Sequence, residues 1–127
     1  MPSSKKRILC VDPNADTLEM VTILLSKRDG YEVVTARTLA EAMSLARSGR
    51  FDLYLLESRL PDGTGLDLCQ RLRECDARAP ILFYVATVSF TPQQVSDAGG
   101  QGHVNKLDGI EVLQRTIFRL LGEIAVP

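Results

Sequence analysis

The sequence predicts an α/β domain: five parallel strands in one sheet, covered on both faces by helices. Three observations carry this. Short apolar runs recur at 7–11, 31–35, 51–56, 80–86 and 103–105. Longer segments with apolar residues at helical spacing separate them. The runs at 51–56 and 80–86 are apolar on both faces instead of alternating, as suits a strand buried between two helical layers. Strands that alternate with helices call for a parallel sheet with right-handed crossovers.

Taken in order, Arg7-Ile8-Leu9-Cys10-Val11 is a strand that ends at an acid, Asp12. Pro13 and Asn14 open a helix, because proline suits a first helical turn and asparagine a cap. Leu18, Val21 and Leu25 give it an apolar stripe, and Gly30 closes it. Residues 31–35 form the second strand. Thr38 and Glu41 have capping-box spacing for a second helix, with Leu39, Ala42, Met43 and Ala46 on its apolar side down to Gly49. The third strand, 51–56, stops at Glu57 and is followed by a Pro61-Asp62-Gly63 turn. Leu66, Cys69 and Leu72 mark the third helix, and 80–86 is the fourth strand. Thr91-Pro92 begins a short helix in which only Val95 and Ala98 look buried. Gly99, Gly100 and Gly102 are expected to leave the next connection pliable. His103-Val104-Asn105 is the fifth strand, ending at Lys106, and Ile110, Leu113, Ile117 and Leu121 pattern the last helix.

For 127 residues the expected arrangement is a flavodoxin-like (βα)5 doubly wound sheet of order 2-1-3-4-5. One domain is expected, with its core at about 6–122 and no output domain. Fifteen basic and sixteen acidic residues leave a formal charge of −1, and no basic stripe interleaved with aromatics supports nucleic-acid binding. No run approaches membrane-spanning length, so a soluble, cytoplasmic protein is expected. Cys10, Cys69 and Cys75 are odd in number and lack ligand spacing. Cys10 and Cys69 read as buried thiols, and a zinc site is not expected.

In the 2-1-3-4-5 order strands 1 and 3 flank the point where the winding reverses. Asp12 and Glu57 then face each other at the carboxyl edge, and Lys106 approaches from strand 5. Such a trio can hold a cation, handle a phosphoryl group, or pair internally. Each residue also has a plainer reading: Glu57 as a polar strand terminus, Lys106 as a solvated strand end, Asp12 as a helix cap, and Arg59 as a loop charge.

Ile8-Leu9-Cys10-Val11-Asp12, Leu55-Leu56-Glu57-Ser58-Arg59-Leu60-Pro61-Asp62-Gly63, and Ala98-Gly99 running on to Lys106 resemble the receiver domain of bacterial two-component response regulators. The resemblance implies phosphoryl transfer from a histidine kinase to an aspartate ending strand 3. It implies magnesium held by that aspartate, by an acidic pair after strand 1 and by a backbone carbonyl, here that of Arg59. It also implies a hydroxyl ending strand 4 and a lysine ending strand 5. This chain departs at those positions. Glu57 stands at the phosphoacceptor position, Pro13 replaces the second acid, and Val85 stands at the hydroxyl position, with Thr87 two residues later. Lys106 matches, but Leu107 follows it where the family usually has proline. His103 holds the place of a switching aromatic.

Glutamate carries its carboxylate one methylene further out, and a misplacement of about 1 Å can cost on the order of a hundredfold in rate. Proline offers no oxygen charge to a hard cation. Phosphoryl transfer depends on positioning and on metal neutralisation, so both losses bear on it directly. The expectation is a degenerate receiver, not an enzyme, with no cofactor and Mg2+ weak at best, acting as an interaction module. The alternative is a weakly phosphorylatable receiver using Glu57 or a neighbour such as Ser58. An unrelated small-ligand binder using the same crevice is a third reading. Glu57 is expected to pair with Lys106, and His103 to be a partly exposed strand residue. The resemblance further implies a protein partner (a histidine kinase, an output protein or a second copy) at the face of the fourth helix, fifth strand and last helix. That face would offer Gln94, Asp97, His103, Asn105, Glu111, Arg115 and Arg119.

Overall fold

The computed structural model describes residues 5–122. Strands β1 (Arg7–Val11), β2 (Glu32–Ala36), β3 (Leu53–Leu56), β4 (Ile81–Val85) and β5 (Gly102–Asn105) form one parallel sheet in the order β2-β1-β3-β4-β5. Helices α1 (Ala15–Thr22), α2 (Leu39–Ser48), α3 (Gly65–Cys75), α4 (Pro92–Ala98) and α5 (Ile110–Leu120) cover it. Successive strand residues point to opposite faces and so feed two cores. Leu9, Val11, Leu56, Phe83 and Val85 pack with α2, α3 and α4. Ile8, Cys10, Leu55, Leu82 and Tyr84 pack with α1 and α5. Every residue of β3 and β4 is buried, as their unbroken apolar runs require.

Local chemistry departs from the sequence reading in several places. Asn14 caps α1 through bonds from the Asp16 and Thr17 amides, so Pro13 sits before the cap, outside the first turn. Asp12 is accordingly not the cap. Thr38 caps α2 by accepting from the Glu41 amide, but the Glu41 carboxylate takes the Arg37 amide (2.7 Å) and closes no reciprocal box with Thr38. The strands shift by a residue or two at their ends: Tyr31, Phe51, Asp52, Pro80 and Ala86 lie outside them, and Gly102 joins β5. The turn after Glu57 contains a two-residue antiparallel hairpin, Arg59–Leu60 with Gly63–Thr64. Cys10 and Cys69 are buried, and burial pushes their thiols up to about 12 and about 11. Cys75 is exposed.

The glycine-rich connection after α4 is closely tied down instead of pliable. Gly99 takes a left-handed conformation (φ 99°) that ends the helix, and the Gly100 amide bonds to the Val95 carbonyl at 2.8 Å. Arg73 on α3 then donates to the Gly99, Ala79 and Asp76 carbonyls at 2.7, 2.8 and 3.0 Å. One half-buried guanidinium thus joins α3, the approach to β4 and the end of α4. Arg73→Met keeps the stem but abandons three carbonyls, so we expect a loss of about 2 kcal/mol, measured by urea denaturation. A midpoint unchanged from the parent would show that the clamp carries no stability.

Candidate functional site

The strand register builds the site. Val11 pairs with Leu56, so Asp12 and Glu57 leave the sheet side by side. Their amides extend the ladder by bonding Ala36 and Val11 carbonyls at 3.0 and 2.9 Å. Val85 pairs with Asn105, which brings Lys106 to the same edge. The Asn105 side chain caps the short helical turn Lys106–Asp108 by accepting from the Leu107 amide (2.8 Å).

The Lys106 ammonium joins both acids, with Nζ 2.7 Å from Asp12 Oδ2 and 3.0 Å from Glu57 Oε1. The remaining carboxylate oxygens are also engaged. Asp12 Oδ1 accepts from the Asn14 amide (2.8 Å), and Glu57 Oε2 accepts from the Ser58 amide and, at 2.9 Å, from its hydroxyl. Burial alone would lower the Lys106 pKa, but its hydrogen bonds to Asp12 and Glu57 and their charges outweigh this and raise it above the ordinary lysine value. Nζ also lies 5.7 Å from the centre of the Tyr84 ring, within cation–π range. Asp12, Glu57, Ser58 and Lys106, with Pro13, Arg59, Ala86, Thr87 and Ser89, line a crevice of about 450 Å³.

A hard divalent cation is held by several oxygen ligands; here each carboxylate oxygen of Asp12 and Glu57 accepts a protein donor. Pro13 adds only a carbonyl, which accepts from Arg37 at 2.8 Å. Among the described residues no group of three or more His, Cys, Asp or Glu side chains converges. A groove of similar size at the opposite edge of the sheet, beside Phe51, Tyr54 and Asp76, involves none of these residues.

The response regulator receiver domain model matches residues 8–118. The chain belongs to that family. Response regulator protein PilR of Pseudomonas aeruginosa is 33% identical over 121 residues, covering 92% of this receiver and 27% of PilR. DNA-binding response regulator MtrA of Mycobacterium tuberculosis is 36% identical over 86 residues, 68% of this receiver and 37% of MtrA. The receiver therefore spans between about a quarter and two fifths of these relatives' length. A CheY-like receiver domain protein from Methanospirillum hungatei superposes with a TM-score of 0.89 at 26% identity, covering 94% of this chain and 96% of that one. CheY4 of Vibrio cholerae gives 0.84 at 28% identity, covering 92% and 99%. Among the described residues no helix is long and apolar enough to cross a membrane.

Within this receiver, Val85 is fully buried in the α2–α3–α4 core and does not line the crevice, whereas Thr87 does. His103 is exposed and stands edge-on to Phe90 (5.6 Å), which is itself 5.0 Å from Phe83. Arg59 lies in the small hairpin and lines the crevice. Leu107 is largely turned to solvent.

Three contributors escaped the sequence reading. Tyr84 looked like one more apolar strand residue. Arg37 reaches Pro13 across 24 positions. Asp62 read only as a turn residue, but its carboxylate bonds the Leu39 and Ala40 amides at 2.8 and 3.0 Å, tying the loop after Glu57 to the start of α2. Those amides hold its carboxyl below the ordinary range.

Proposed function

We propose that this receiver has left the metal-dependent phosphorylation cycle and works as a protein–protein interaction module in two-component signalling. The observation that carries the reading is Lys106 bonded to both Asp12 and Glu57, which places a permanent internal ion pair where phosphoryl chemistry needs a free carboxylate and a cation. Pro13 and the buried Val85 support it, because one removes a metal ligand and the other a hydroxyl donor. The partner, a histidine kinase or an output protein, meets the α4–β5–α5 face. There Gln94, Asp97, His103, Glu111, Arg115 and Arg119 are exposed, while Asn105 is half-buried and occupied in capping. Mixed charge with little apolar area suits a modest, transient interface.

A second reading, weak phosphorylation at Glu57 or Ser58, draws on the hydroxyl of Ser58 at 2.9 Å from Glu57 and on the surviving Asp12 and Lys106. A matched receiver, TrrA of Thermotoga maritima (29% identical, TM-score 0.81), was solved with Mg2+ and BeF, so related folds do hold the phosphoryl mimic. Incubation with acetyl phosphate and Mg2+ separates the two. We expect no phosphoryl adduct by mass spectrometry, and an NMR spectrum unchanged by beryllofluoride and Mg2+. An adduct at Glu57 or Ser58, or coordinated shifts from Glu57 to His103 and α4, would overturn the first reading.

A further inference from the structure

We propose that α1 carries a homodimerisation surface that pairs antiparallel with α1 of a second copy about a two-fold axis. This surface is separate from the α4–β5–α5 face. The outward side of α1 is patterned by charge. Asp16 and Glu19 are exposed at its beginning, and Met20 and Ile23 follow at 41% and 47% exposure. The helix continues through Ile23–Arg28 with wider, π-type turns, and Lys27 and Arg28 stand exposed at its end. Among the described residues neither acid and neither base has a side-chain partner within the chain. Met20, Ile23 and Leu24 floor a shallow groove of about 470 Å³ bordered by Asp16 and Glu19.

The occupant that fits is the same stripe reversed. An isologous contact requires residue i to meet j while j meets i. An axis crossing α1 between residues 21 and 22 sets Met20 against the partner's Ile23, Glu19 against the partner's Leu24, and Asp16 against the partner's Lys27, all in one register. Each acidic end then meets a basic end, and the apolar pair lies at the centre. Parallel pairing would instead align like charges. The stripe offers only about half a dozen residues per copy, well short of a standard interface of roughly 800 Å² per partner, so the dimer is weak and salt-sensitive.

Sedimentation equilibrium of the whole chain up to millimolar concentration tests this, with far-UV circular dichroism confirming that each variant is folded. The parent should dimerise reversibly and less at high salt, and Ile23→Glu should remain monomeric. Asp16→Lys and Lys27→Glu should each weaken association about tenfold, since each reverses two symmetry-related pairs. The double variant Asp16→Lys/Lys27→Glu should recover to within about threefold of the parent, since it restores both pairs. A parent that stays monomeric, a dimer indifferent to Ile23→Glu, or a double variant no better than the singles would overturn the proposal. So would a dimer abolished by Arg119→Glu on the other face.

Discussion

Lys106→Met is expected to destabilise the domain by about 3 kcal/mol, because it removes the one cation shared by the buried carboxylate of Asp12 and the half-buried one of Glu57. A buried ion pair adds little on balance, but breaking one strands the remaining charge, and here two charges are stranded together. The pH dependence separates this from simple loss of packing. In the parent, the folded Lys106 pKa lies above its unfolded value. Its contribution is therefore complete below the ordinary lysine pKa and disappears as pH rises through the raised one, so this contribution is lost only in strong alkali. The variant lacks that group, so its deficit should hold from neutrality up to the ordinary lysine pKa and close only above it. Urea midpoints across pH check this. A deficit that is small, or that does not close in alkali, would show that the ion pair does not set the electrostatics of the crevice.

The sheet was legible because its two central strands are apolar on both faces, a pattern that few alternatives share. Strand order then followed from length and alternation, and the order alone brings Asp12, Glu57 and Lys106 to one edge. What the sequence hid depends on which way side chains turn after the backbone is set. Asp62 sits in a Pro-Asp-Gly turn that explains itself locally, so nothing marked its carboxylate for the start of α2, 22 and 23 residues away. Three clustered glycines suggested pliancy, but their lack of side chains lets Gly100 approach Val95 and lets Arg73 lie against Gly99. Pro13 read as a helix-starting proline because the preference is real, yet Asn14 beside it is the better acceptor for the free amides. Tyr84 became visible only once β5 had set Lys106 within 5.7 Å of its ring.

Gly65→Ala is expected to cost about 3 kcal/mol and to disturb the site without touching any of its charged groups. A Cβ on Gly65 would stand 2.2 Å from the Glu57 carbonyl oxygen, 3.1 Å from its carbon and 2.8 Å from Phe83 Cε2. None of these can step aside cheaply. The carbonyl belongs to a residue whose own amide is bonded to Val11, and Phe83 is fully buried in β4. The Gly65 amide also bonds the Ser58 carbonyl at 2.9 Å, so the start of α3 and the loop after β3 are held against each other. Relief must come from withdrawing α3 or displacing Glu57, and displacing Glu57 alters its 3.0 Å contact with Lys106. Gly49→Ala is the control: its Cβ would meet the Arg7 guanidinium at 3.1 Å, the far end of a flexible side chain, and the Leu45 carbonyl oxygen at an ordinary 4.0 Å. Urea denaturation of both variants, with amide NMR shifts followed at Glu57 and Ser58, gives the comparison. Gly65→Ala should lose stability and shift those amides while Gly49→Ala changes little. Equal stability of the two variants, or unmoved resonances at Glu57, would mean that the close approach of α3 does not position the carboxylate.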